Sequence, residues 1–211
     1  MSGPQWFLLT CFIVFAVGAK CRINRAFPRP GSDSLAAKRG DIPPAIFYSF
    51  TGAMLPWKKE TAGLHPVSYA LGIGYHAGIF LSFIWLVLLF FNLRLPGTVA
   101  SVSAVLLALF SLCGLALLVK RVATPAMRYF SNPDDYFSNI IATGFVALTA
   151  AALRERGAVP ALFVYAGVLF LYIPVGKLRH AVYFALARIY LGLFYGRRGV
   201  WPREDRGTWK T

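Results

Sequence analysis

Apolar residues run along this chain in long blocks. They show neither the alternation of a strand nor the one-sided stripe of a surface helix. Residues 5–19, QWFLLTCFIVFAVGA, form the first block, and the next three cover about 66–93, 97–119 and 136–153. A fifth opens near 158 and passes through IPVGKLRH toward Tyr195. That is too long for one bilayer crossing at about 1.5 Å per helical residue. Taking its span as 158–180 leaves 181–211 as a cytoplasmic amphipathic extension and tail, with Pro174 as the kink site. The pattern predicts an all-α membrane protein. It is a five-transmembrane-helix bundle forming a single membrane domain over 1–211.

The polar connections set an orientation. Lys20, Arg22, Arg25 and Arg29 follow the first block, and Lys58 and Lys59 close the long loop. Lys120, Arg121 and Arg128 lie in the loop after the third block. The opposite loops are short, with Arg94 in one and Arg154 and Arg156 in the other. Basic residues favour the cytoplasmic side, so the N-terminus is expected outside and the C-terminus in the cytoplasm. No positive charge precedes the first block and no small-residue cleavage pattern follows it, which favours a retained anchor over a signal peptide. Within the first cytoplasmic loop, DIPPAIFYSFTGAML predicts a short helix with Asp41 near its cap and prolines at its start. It is too short to span and is expected on the membrane surface.

Composition narrows the function. The chain has 211 residues, 57% of them hydrophobic, and a formal net charge of +14. Its mean hydropathy is +0.59. In a soluble protein such a charge would point to nucleic acid. Here the basic residues sit at the ends of apolar blocks, so no nucleic-acid partner is expected. The predicted spans hold no Asp or Glu, which argues against a proton-coupled transporter. Cys11, Cys21 and Cys113 form no CxxC or metal-ligand pattern, so no iron–sulfur cluster is expected within this chain. The tail YGRRGVWPREDRGTWKT reads either as an interfacial anchor or as a docking strip for a cytoplasmic partner.

The histidines are the candidate chemistry. His76 is the single imidazole in ALGIGYHAGIFLSFIWLVLLFF, and an imidazole in lipid is costly unless its polar atoms are used. His180 follows Lys177 and Arg179 near the end of the fifth span. Spans two and five run in opposite directions, so His76 and His180 are expected at similar depth in the cytoplasmic half. Two neutral imidazoles so placed can clamp an iron porphyrin. Gly72 and Gly176 each precede one of them by four residues, which on a helix is the same face and leaves room for a flat macrocycle. Lys177 and Arg179 either pair with haem propionates or mark where the helix leaves the membrane. The alternative for His76 is a hydrogen bond to a neighbouring backbone or hydroxyl group. His65, beside Pro66, reads as an interfacial residue.

Three stretches carry a resemblance. YHAGIF, KRVATPAMRYFSNPDDYFSNI and LYIPVGKLRHAVYF resemble the cytochrome b membrane subunits typified by the gamma subunit of respiratory nitrate reductase. That family includes the cytochrome b subunits of heterodisulfide-reductase-like complexes. The resemblance implies residence in the cytoplasmic (inner) membrane, haem b, and electron exchange with a quinone, menaquinone or ubiquinone. It also implies a cytoplasmic iron–sulfur or flavin partner subunit. Typical members hold two haems on four histidines. Here the position ten after His76 is Leu86, and the position eighteen before His180 is Leu162. The resemblance therefore implies a single-haem variant, with His76 and His180 as axial ligands. No catalytic residue is expected beyond quinone redox. The competing expectation is a haem-free membrane anchor that docks a redox partner and binds quinone or lipid.

Overall fold

The computed structural model describes residues 1–26, 37–55, 64–93 and 95–202. Arg29, Lys58, Lys59, Arg94 and the tail beyond Pro202 lie outside them. The described residues are helical, with no strand among them. Helix α1 covers Gly3–Ala26, α2 Ile42–Phe50, α3 Pro66–Phe90 and α4 Gly97–Ala123. They are followed by α5 at Pro125–Tyr129, α6 at Pro133–Arg154, α7 at Val159–Tyr172 and α8 at His180–Arg197. Four of these, α1, α3, α4 and α6, are long and apolar enough to cross a membrane. The segments 156–172 and 177–197 make a fifth crossing if the broken pair counts as one.

Local chemistry explains the ends. Helix α1 continues past the apolar block to Ala26, since residues 20–26 contain neither Gly nor Pro. Helix α2 begins after Asp41 at the N-cap with proline in its first turn, as its sequence predicts. The Asp41 carboxylate makes no capping hydrogen bond and instead stands 4.0 Å from Lys38 Nζ. Helix α6 has a complete capping box. Asn132 accepts from the Asp135 backbone at 3.2 Å, and Asp135 accepts from the Asn132 backbone at 3.0 Å.

The fifth segment departs from expectation. A kinked but continuous helix is expected through 180, yet α7 stops at Tyr172 and residues 173–176 form a turn. Pro174 supplies no N–H, and its ring crowds the preceding turn, so the ladder ends there. Val175 and Gly176 both donate back to the Tyr172 carbonyl, at 3.1 and 2.9 Å. A single 3-10 turn, Lys177–Arg179, then leads to α8.

The chain divides into two compact units: Met1–Lys20 with Pro66–Arg179, and Cys21–His65 with His180–Thr211. The first is built on α3, α4 and α6, around Trp85, Leu107, Val146 and Ala150. Small residues let these helices close up. A methyl group on Gly78 would lie 2.5 Å from Phe110 Cβ, and one on Gly114 would lie 2.6 Å from the Tyr75 ring. Helix α1 joins this unit through Gln5, whose side chain donates to the Phe90 carbonyl at 2.9 Å, and through Phe12 and Phe15 against Phe170. Large apolar side chains such as Val102, Leu109 and Phe80 are exposed, as helices facing lipid require.

The second unit is a pair of helices, α2 and α8. On α8, Gly196 meets Ala45 of α2, Gly192 meets Ile46, and the Arg188 carbonyl accepts from Ser49. Ala45 and Ser49 are fully buried, and Ser49 Oγ lies 2.8 Å from the carbonyls of Ile46 and Arg188. A methyl group on Gly192 would sit 2.5 Å from Ile46 Cα, a backbone atom that cannot move aside. Trp201 stacks near Tyr195 and Tyr48, and Gly199 turns the chain at φ +66° beside the Arg39 carbonyl. We expect Gly192→Val to destabilise this pair by about 1–3 kcal/mol through overpacking. The control is Gly97→Ala, where a methyl group meets nothing within 4 Å. Thermal unfolding in detergent should show a lowered midpoint for the first and no change for the second.

Candidate functional site

His76 lies in the first half of α3 with its imidazole exposed. Its Nδ1 is 2.8 Å from the carbonyl oxygen of Gly72, one turn earlier. That carbonyl can only accept, so Nδ1 is the donor. Among the described residues Nε2 has no hydrogen-bond partner. An Nδ1–H bound to a backbone carbonyl with Nε2 directed away is the arrangement that prepares a histidine to ligate a metal. A methyl group at Gly72 would meet nothing within 4 Å, so the space beside the ring is open.

A polar cluster on the inward side of α3 holds the adjoining residue. Tyr75 is buried, and its hydroxyl donates to the Asn139 carbonyl at 3.1 Å. Thr143 Oγ1 lies 3.1 Å from both the Tyr75 hydroxyl and Asn139 Oδ1. Asn139 in turn donates to the Gly114 carbonyl at 3.2 Å, so α3, α4 and α6 share one network. With Tyr75 fixed inward, the next residue along the helix is turned by roughly 100°. That places His76 on the outer face.

The other predicted residues fall differently. His180 is exposed and opens α8, in the second compact unit, whereas His76 belongs to the first. Gly176 does not share a helical face with His180, because it lies in the turn where the helix is interrupted. It is also not open: a methyl group there would sit 2.2 Å from the Tyr172 ring. Its role is to let that ring fold over the turn. Lys177 is committed elsewhere. Its ammonium is 2.6 Å from Asp135 Oδ2, and its backbone N–H donates to Asp134 Oδ2 at 2.9 Å. Arg179 is exposed in the short turn before α8. His65 is exposed immediately before α3. Leu86 and Leu162 are packed in the core, 4% and 0% exposed. Neither offers ligand chemistry.

The acidic pair at the start of α6 escaped the sequence reading. The Tyr172 hydroxyl donates to Asp134 Oδ1 and lies 2.8 Å from Ser138 Oγ. Asp135 also faces Arg121 Nη1 at 3.6 Å. Together they tie the ends of α4, α6 and α7 to the turn at 173–177. The signal was present as NPDD at a helix start, but its partners lie far away in sequence.

In comparisons with known proteins, no family model, curated protein or solved structure matches this chain. What stands is an all-helical protein with four to five helices long and apolar enough to span a membrane. One outward imidazole in it is hydrogen-bonded through Nδ1 to its own helix.

Removing the Tyr75 hydroxyl tests the network. We expect Tyr75→Phe to cost about 0.6–1.7 kcal/mol, the range for interhelical hydrogen bonds in membrane proteins. Unfolding by added SDS from mild detergent micelles measures it.

Proposed function

We propose that this chain is a membrane cytochrome b subunit of the kind its sequence resembles. It passes electrons between membrane quinol or quinone and a cytoplasmic iron–sulfur or flavin partner through one haem b. The observation that carries this reading is the His76 imidazole, held by Gly72 through Nδ1 with Nε2 unpartnered on an open face. In the proposal His76 and His180 would hold the haem iron. Gly72 gives the macrocycle room, and Arg179 is the cation left for a propionate, since Lys177 is paired with Asp135. The haem supplies the one-electron chemistry when bound, and the chain supplies ligand nitrogens, orientation and burial. Buried leucines at 86 and 162 favour one haem over two. The reading places the N-terminus outside, the C-terminus in the cytoplasm and α2 at the surface of the inner membrane.

One observation favours the haem-free anchor as a second reading. The bond from Nδ1 to Gly72 already satisfies half of the imidazole without any metal. The two readings separate in one experiment. Gently purified wild-type protein should show a sharp reduced-minus-oxidised b-type absorbance band, and His76→Ala and His180→Ala should each abolish it. A colourless wild-type protein supports the anchor, whereas a band that survives both substitutions overturns the assignment of His76 and His180 as the ligands.

A further inference from the structure

The connection between α4 and α6 carries an exposed aromatic pair that nothing in the haem reading uses. Tyr129 is 85% exposed and Phe130 83%, and their rings meet edge-on at 5.3 Å. They lie in the connection between two helices long enough to cross a bilayer, just before the first turn of α6. With both helices crossing a bilayer, that position corresponds to headgroup depth, where amphipathic rings are favoured. Beside Phe130 is a cleft of about 240 Å³ lined by Arg121, Ala126, Met127, Phe130 and Ser131.

The charge around this cleft has a definite sign. Lys120, Arg121, Arg128 and Lys177 are four cations, set against the two carboxylates Asp134 and Asp135. Lys177 and Arg121 are shared with Asp135, Lys120 donates to Ser68 Oγ, and Arg121 Nη1 reaches Ser131 Oγ at 2.9 Å. Arg128 is exposed, with no ion-pair partner among the described residues. The net excess is positive, the cleft has one guanidinium in its wall, and its rim is aromatic.

We propose that this connection is a binding site for an anionic phospholipid. The lipid phosphate sits at Arg121 with Arg128 nearby, and the Tyr129–Phe130 pair enters the headgroup layer alongside its chains. A guanidinium is suited to this because it offers several donors in a fixed plane and loses little hydration on meeting phosphate. The inference rests on the membrane-spanning reading and is independent of haem.

The test uses the full chain. In native mass spectrometry, wild-type protein should retain phosphatidylglycerol in preference to phosphatidylcholine. Arg121→Gln and Arg128→Gln should each lower phosphatidylglycerol retention by about fivefold to tenfold, as expected for loss of a charge-assisted contact. Arg128 and the aromatic pair are exposed, so Arg128→Gln and Phe130→Trp keep the test open if Arg121→Gln fails to fold. In vesicles, the fluorescence that Phe130→Trp adds to the wild-type signal should be quenched by brominated lipid and shielded from iodide. Equal retention of the two lipids, retention unchanged in both Arg variants, or free quenching by iodide each overturns the proposal. Shielding that requires an added soluble protein also overturns it and makes the patch a protein-docking surface. A chain that never enters vesicles defeats the spanning reading together with this one. Lipid-indifferent behaviour of an incorporated chain defeats this one alone.

Discussion

Close approach of helix backbones is the constraint on which this structure depends. In lipid there is no hydrophobic force to draw one apolar helix onto another, so contact depends on shape, dispersion and polar links. Glycine supplies the shape. Gly78 and Gly114 bring α3, α4 and α6 within reach of one another in the first unit. Gly192 and Gly196 bring α8 onto Ile46 and Ala45 of α2 in the second. Only at such spacing can Tyr75, Asn139, Thr143 and the Gly114 carbonyl form one hydrogen-bonded set.

That set links packing to chemistry. An inward Tyr75 fixes the rotation of α3, and the rotation turns His76 outward. A second tie at the helix ends acts on the fifth segment. Asp134 and Asp135 hold Tyr172, Lys177 and Arg121, so the turn forced by Pro174 becomes a defined corner. A basic residue close in sequence to the predicted haem ligand His180 is therefore taken up by the structure itself. This is Lys177: its position suggested a propionate, but its ammonium completes the clamp.

Much of the fold was legible because long uncharged blocks have few other solutions. Their lengths gave the helices of the first unit, and prolines at the start of α2 marked that end, whereas NPDD was read as loop and in fact opens α6. The fifth segment was misread where a helical period was carried through IPVGK. A proline followed two residues later by glycine ends the helix outright, so Gly176 lost the face it was expected to share with His180. The G-x-x-x-G at 192–196 and the matching small residues at 45 and 49 were readable from spacing alone and went unread. The Lys177–Asp135 pair was not readable, since it joins residues more than forty apart through tertiary structure. For the candidate site, the sequence located His76. Only the structure revealed which ring nitrogen is engaged.

The central claim is that His76 offers Nε2 to a haem iron shared with His180. Electron paramagnetic resonance of the oxidised, gently purified protein tests it most directly. Two imidazoles on one ferric ion give a strong ligand field, so the account predicts a low-spin spectrum of the bis-imidazole type. A high-spin ferric signal would mean that one of the two ligands is missing. Haem-free protein from haem-replete cells would contradict the account entirely.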